Sequence, residues 1–147
     1  MSESADGRTY PTRPYLAVSA AVFRDGRVLI ARRARPPAHG LYTLPGGGVE
    51  LGETLERAVI REIREETALD IELLGLVGFR QAIARDPDGR VKRHFVILPF
   101  AARWRGGDIR LNEELAEAHW LEPAAVAGLE TTDGLAEIVA AAARLAA

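Results

Sequence analysis

The sequence contains no cysteine. Disulfide staples and cysteine-based zinc sites are therefore excluded, and the absence accords with a reducing cytoplasm. An excess of positive charge is also missing: 19 basic residues face 21 acidic ones, for a formal charge of -2. No global basic field exists to hold a polyanionic nucleic acid, so an anionic substrate must be held by local devices. No apolar run approaches the roughly 18 residues needed to cross a bilayer. The opening Met1-Ser2-Glu3-Ser4-Ala5-Asp6 lacks the basic-then-apolar order of a secretory signal. Internal repeats and low-complexity linkers are absent as well. A soluble, cytoplasmic protein is expected. Its 147 residues, 48% hydrophobic and 27% charged, suffice for one packed domain but not for two.

Along the chain, residues 1–14 read as a loose lead-in and 15–147 as the domain. An apolar, partly β-branched run from Tyr15 to Phe23 is followed by Asp25-Gly26 and a second run from Val28 to Ala31. Asp-Gly between apolar runs predicts a hairpin, because both residues tolerate positive φ. A proline-containing loop, 35–40, leads to a short apolar piece at 41–44 and then to Pro45-Gly46-Gly47-Gly48. That segment cannot be helical, and it lets bare backbone approach its neighbours. A helix is expected from about Thr54 to Thr67, a strand region over 71–81, a turn at Asp86-Pro87-Asp88-Gly89 and another strand over 94–104. Residues 112–121 read as an acidic connection. Glu122-Pro123 opens a short helix, and a final helix places Leu135, Ile138, Val139, Ala142 and Leu145 on one face. The pattern is α/β: a mixed sheet with helices on both faces.

The chemistry concentrates around the first helix. Gly47 and Gly52 precede it with the outline of a phosphate loop, but the Lys and Ser or Thr of a Walker loop are replaced by Glu53-Thr54. No G-x-G-x-x-G occurs either, so a Rossmann nucleotide site is unsupported. Carboxylates beside such a loop repel phosphates unless a divalent cation intervenes. At about 100° per residue with Leu55 as zero, Leu55, Ala58, Val59 and Ile63 span roughly -60° to +80°. On the same scale Glu62 falls near -20°, Glu66 near +20° and Glu65 near -80°, while Arg57, Arg61 and Arg64 group on the opposite side. Unpaired carboxylates on a buried face cost several kcal/mol, and such a cluster persists when a cation neutralises it. All-oxygen ligands favour Mg²⁺ or Mn²⁺ over zinc. Arg61 can bridge to Glu65 four residues on and hold its orientation.

Gly47, Glu53 and the run Arg61-Glu62-Ile63-Arg64-Glu65-Glu66-Thr67-Ala68-Leu69 resemble the Nudix box, G-x5-E-x7-R-E-U-x-E-E-x-G-U, with U aliphatic. Every charged position matches over the 23 residues of the box; the one departure is Ala68, where the family has glycine. The resemblance extends from Tyr15 over most of the chain, including Trp120 ahead of a Pro-started short helix. It implies the Nudix α/β/α sandwich, with a mixed sheet between helices. It also implies Mg²⁺-dependent hydrolysis (Mn²⁺ as substitute) of a nucleoside diphosphate linked to another moiety. Carried over by position, Glu62, Glu65 and Glu66 are metal ligands with the carbonyl of Gly46, and Glu53 and Arg61 are the pair that organises them. Glu65 counts as catalytic too, with a further glutamate from a later loop. Of Glu113, Glu114 and Glu117, the offset from Trp120 favours Glu114.

On the substrate side the candidates are Arg32, Arg33, Tyr42 and Gly47, with Phe79, Phe95 and Trp104 as further aromatics able to stack on a base. Arg35 to Gly40 and Arg93-His94-Phe95-Val96-Ile97 resemble the subgroup acting on ADP-ribose-like compounds. Against it, the subgroup's marker proline would fall near Ala84, whereas the nearest proline is Pro87. The alternatives are a nucleoside triphosphate sanitiser of the 8-oxo-dGTP kind and a catalytically silent nucleotide-binding module. The expected partner is a small nucleotide, with no nucleic acid polymer and no membrane. The oligomeric state is left open, a homodimer being one form.

Overall fold

Strand β1 (Tyr15–Arg24) and strand β2 (Arg27–Arg33) form the hairpin that Asp25-Gly26 predicts, with Phe23 opposite Val28 and Arg24 opposite Arg27. Both turn residues are left-handed, at φ 51° and 79°, which matches the twist of the flanking strands. The computed structural model describes residues 8–147, so residues 1–7 of the lead-in lie outside it.

The remaining strands assemble around this hairpin into one eight-stranded mixed sheet. Strand β3 (Tyr42–Thr43) extends β2, and β4 (Gly46–Gly48) pairs antiparallel with Ala17 to Ser19 of β1. On its other side β1 runs parallel to β7 (Val91–Gly106), from Tyr15 opposite Phe95 to Phe23 opposite Arg103. Strands β5 (Asp70–Leu76) and β6 (Arg80–Arg85) lie end to end against β7. The single strand region expected over 71–81 is thus two strands. Opposite the break stands Pro99, which has no N–H to give to a ladder, although its carbonyl accepts from Val77 N at 2.8 Å.

The acidic connection expected at 112–121 is in large part a strand, β8 (Leu115–Leu121), antiparallel to β2. Its composition, alanine and glutamate between the apolar positions, disguises the alternation. Ala118 and Trp120 face one layer while Glu117 and His119 face the other.

Among the described residues, two α-helices cover the sheet. Helix α1 (Leu55–Thr67) buries Ala58, Val59 and Ile63 against Val18, Ala20, Val22, Leu29, Phe100 and Ala102. Helix α2 (Leu135–Ala146) buries Leu135, Val139 and Ala142 against Ala21, Phe23, Val28, Ile30 and Ala101. Val126, from the 3₁₀ turn Pro123–Gly128, joins that second layer. Alternate residues of β1 therefore serve opposite cores, which is why its sequence is continuously apolar. Each fully buried aliphatic side chain contributes roughly 1.5–3 kcal/mol relative to exposure. Of the face expected for α2, Leu145 stays exposed in the last turn. The result is an α/β/α sandwich. Among the described residues no helix is long and apolar enough to cross a membrane.

Thr54 caps α1 by accepting from Arg57 N at 3.2 Å, and Ala68 ends it in the left-handed conformation, φ 66° and ψ 16°. The strain expected at this alanine is present. Tight packing under the cap favours it: a Cβ on Gly107 would stand 2.7 Å from the Ala68 carbonyl oxygen.

Candidate active site

The glycine strand β4 is a wall shared by two compartments. On its α1 side, Gly46 N donates to Glu66 Oε1 at 2.9 Å and Gly48 O accepts from Arg61 Nη2 at 3.0 Å. Between them Gly47 lies against Glu62, where an added Cβ would come within 2.4 Å of a carboxylate oxygen. On the other side, Gly46, Gly47 and Gly48 line a cavity of about 330 Å³. Glycine is required at two of these positions: a Cβ would meet the Val18 carbonyl at 2.0 Å from Gly46 and the Glu62 carboxylate at 2.4 Å from Gly47.

Arg61 is the hub of the α1 side. Its Nε and Nη2 form a two-pronged pair with Glu53 at 2.7 and 2.9 Å, and its Nη1 reaches Glu62 at 2.9 Å and Glu65 at 3.0 Å. The Glu65 bridge expected from their spacing is present. Although its Cα direction groups it with Arg57 and Arg64, the long side chain folds back over the carboxylates. Arg61, seconded by Glu50 N, holds the Glu53 carboxyl down to about 2. The other two carboxylates move the opposite way. Burial pushes Glu66 up to about 8, against the hydrogen bond from Gly46, and the charges of Glu62 and Glu114 push it further. Burial also raises Glu62, and Arg61 offsets this only in part. Such groups hold protons, or a cation in their place.

Glu114 belongs to the same neighbourhood, since its charge acts on both Glu62 and Glu66. It is fixed from two sides: its N–H donates to Asn112 Oδ1 at 2.9 Å and its carbonyl accepts from Ala34 N at 2.9 Å. Among the described residues no three carboxylates or imidazoles converge into a ready-made cation cage, because Glu62 and Glu65 are turned onto Arg61. The donor chemistry nonetheless fits a hard divalent cation: oxygens only, two of them on carboxylates that burial drives to seek positive charge.

Of the substrate-side candidates, the neighbouring arginines part company. Arg33 lines the cavity, donates from Nε to Pro37 O at 2.6 Å and feels the charges of Glu66 and Glu114. Arg32 pairs instead with Glu117 Oε2 at 2.8 Å. Tyr42 joins that second cluster, donating to Glu117 Oε1 at 2.7 Å, with His119 Nε2 at 2.8 Å from the same oxygen. Neither Arg32 nor Tyr42 lines the cavity. Among the aromatics, Phe95 does, whereas Phe79 is exposed to solvent and Trp104 lies under Arg24, donating to Gly107 O. Ser19, Arg80 and Asp133 also line the cavity and were not singled out by the sequence. The available signal was the small pair Ala17 and Ser19, alternate residues of β1 that leave the volume open.

Comparison with known proteins agrees with this geometry. The family model of the Nudix domain matches residues 13–142. The chain belongs to the Nudix family. It is 36% identical to an ADP-ribose pyrophosphatase of Methanocaldococcus jannaschii over 109 residues, 74% of this chain and 62% of that protein. It is 31% identical to the NAD-capped RNA hydrolase NudC of Vibrio atlanticus over 82% of this chain and 42% of that protein. It thus spans less than two thirds of either relative. A solved MutT Nudix hydrolase from Burkholderia pseudomallei superposes with a TM-score of 0.69 at 28% identity, over 92% of this chain and 99% of that one. Nudix hydrolases act on pyrophosphate bonds and generally use divalent cations.

Proposed function

We propose that this chain is a Mg²⁺-dependent pyrophosphohydrolase, with Mn²⁺ able to substitute, acting on the diphosphate of a nucleoside diphosphate linked to another moiety. The ADP-ribose-like class comes first. The observation that carries this reading is the shared glycine wall: a cluster of buried carboxylates on one face of β4 and a nucleotide-sized cavity on the other. Glu62, Glu65 and Glu66, with the carbonyl of Gly46, would hold the cation. When bound, the cation neutralises the diphosphate and lowers the pKa of an attacking water. Arg61 and Glu53 orient the carboxylates, Glu114 accepts the proton of that water, and Arg33 binds a phosphate oxygen at the mouth. Gly47 lets the diphosphate lie against bare backbone.

A second reading, a nucleoside triphosphate sanitiser, is favoured by one observation: the nearest proline to the expected marker position, Pro87, sits in the β6–β7 turn rather than on a strand. Products separate the two. ADP-ribose should yield two phosphate-bearing products, and a triphosphate should yield a monophosphate plus pyrophosphate. Hydrolysis in ¹⁸O-enriched water should label a phosphate product; label confined to a sugar carbon refutes both. Glu65→Gln is nearly isosteric and should abolish most turnover and weaken Mg²⁺ binding while the fold survives. A fully active Glu65→Gln protein would sink the metal assignment.

A further inference from the structure

The last carbonyls of a helix have no partner within it. In α1 two of these, on Glu66 and Thr67, accept from the loop that leaves β7. Asn112 N donates to Glu66 O at 3.3 Å and Arg110 N to Thr67 O at 2.9 Å. This loop, residues 107–114, forms neither helix nor strand. Packing holds it at both ends: Ile109 lies against the core that α1 covers, and Leu115 is buried at the start of β8. Just before Leu115, the Glu114 carbonyl accepts from Ala34 N at the end of β2.

Asn112 stands where these connections cross. Its main chain is bonded to that of Glu66, and its Oδ1 accepts from Glu114 N at 2.9 Å. An asparagine side chain closes a turn in this way on the backbone two residues on. The turn sorts two adjacent glutamates. Glu113 is exposed, whereas Glu114 is half-buried and its charge reaches Arg33, Glu62 and Glu66. Those groups belong to β2 and α1, so the Glu114 carboxylate lies at the junction of the two elements. Among the described residues no hydrogen bond or ion pair holds that carboxylate itself. Its aim is therefore set by its backbone, and the backbone there is held by Asn112.

We propose that Asn112 is a positioning residue: its amide oxygen holds the Glu114 backbone at a fixed offset from Glu66, so that Glu114 and not Glu113 is presented to the diphosphate. The inference rests on the assignment of Glu114 as the base. Asn112 acts through Glu114 alone and needs no contact with substrate or cation. A turn residue that only shaped its loop would behave differently. Its loss would lower stability without singling out the chemical step, and it would not depend on which side chain occupies position 114.

With Mg²⁺ and ADP-ribose, Asn112→Ala should lower kcat about ten-fold and leave KM within about two-fold, the scale on which removing an outer partner acts. Asn112→Ser keeps a shorter acceptor that closes the same turn more weakly, and should bring kcat back to within about three-fold of the parent. Glu114→Gln should lower kcat further, and adding Asn112→Ala to it should cost nothing more, because the effect passes through that carboxylate. A parent-like kcat in Asn112→Ala, an Asn112→Ser protein as slow as Asn112→Ala, or full additivity with Glu114→Gln would overturn the proposal. Hydrogen exchange of the Glu114 amide separates it from the assignments beneath it. Protection there should drop about ten-fold in Asn112→Ala and return in Asn112→Ser, while the amides of Val59 and Ile63 in α1 stay as slow as in the parent. If ADP-ribose is not turned over, the substrate reading fails; if Glu114→Gln keeps full kcat, the base assignment fails. In either case exchange still decides the holding role: selective loss at Glu114 supports it, and unchanged protection refutes it.

Discussion

Ala68→Gly should stabilise the protein. Ala68 sits at φ 66°, ψ 16°, where a Cβ costs about 1–2 kcal/mol and glycine pays nothing. Two terms oppose the gain. Glycine's freer unfolded chain costs about 0.4–1 kcal/mol, and losing a half-buried methyl costs about 0.4 kcal/mol. The mid-values of these terms net to about 0.4 kcal/mol in favour of glycine, or a rise in Tm of about 1–2 °C for a chain of this size. The cap geometry should persist, because Ala68 N already donates to Arg64 O at 2.9 Å and needs no side chain to do so. Activity should change little, since no charge moves. Urea melts of the two proteins at equal m-value decide the matter. An Ala68→Gly protein clearly less stable than the parent would mean that position 68 is not left-handed, and that Glu65 and Glu66 leave the helix along a different path.

Gly47→Ala should displace the Glu62 carboxylate, whose oxygens would lie 2.4 and 2.7 Å from the new Cβ, so turnover should fall far more than stability; unchanged kcat would refute the shared wall. Arg61→Lys keeps the charge but cannot span Glu53, Glu62, Glu65 and Gly48 O together, and should cost about 10–100-fold in activity with the fold retained, read by kcat beside circular dichroism. Stability in a chelator should fall as pH rises. Glu66 ionises at about 8 in the fold against 4.5 ordinarily, so between these values the folded state holds a proton that the unfolded state has lost. Melting temperatures taken from pH 5 to 8 should therefore decline in EDTA and decline less with Mg²⁺ or Mn²⁺; a flat profile in EDTA would show that Glu66 is not a buried, unneutralised acid.

The parts of this molecule that the sequence announces are those whose physics is local. Asp25-Gly26 specifies its turn by backbone conformation alone, and the helix period places Glu62 and Glu66 on the buried face, with Glu66 only 6% exposed. The bridge from Arg61 to Glu65 likewise follows from four-residue spacing. What stayed hidden depends on partners distant in sequence. The division of 71–81 into two strands is tied to Pro99 in β7, and β8 exists because β2 offers it an edge. The fates of Arg32 and Arg33 illustrate the limit: adjacent and alike in type, they find different surroundings, Arg32 beside Glu117 and Arg33 at the cavity within the fields of Glu66 and Glu114. Alternation predicts that they diverge, but the charged partners of each come from segments distant in sequence. Charge behaves in the same way. A total of -2 is a property of composition, while the neighbours of each charge are set by contacts such as the hydrogen bond that lays Tyr10 beside Lys92. Fields that act over about 10 Å are set by such neighbours and not by totals.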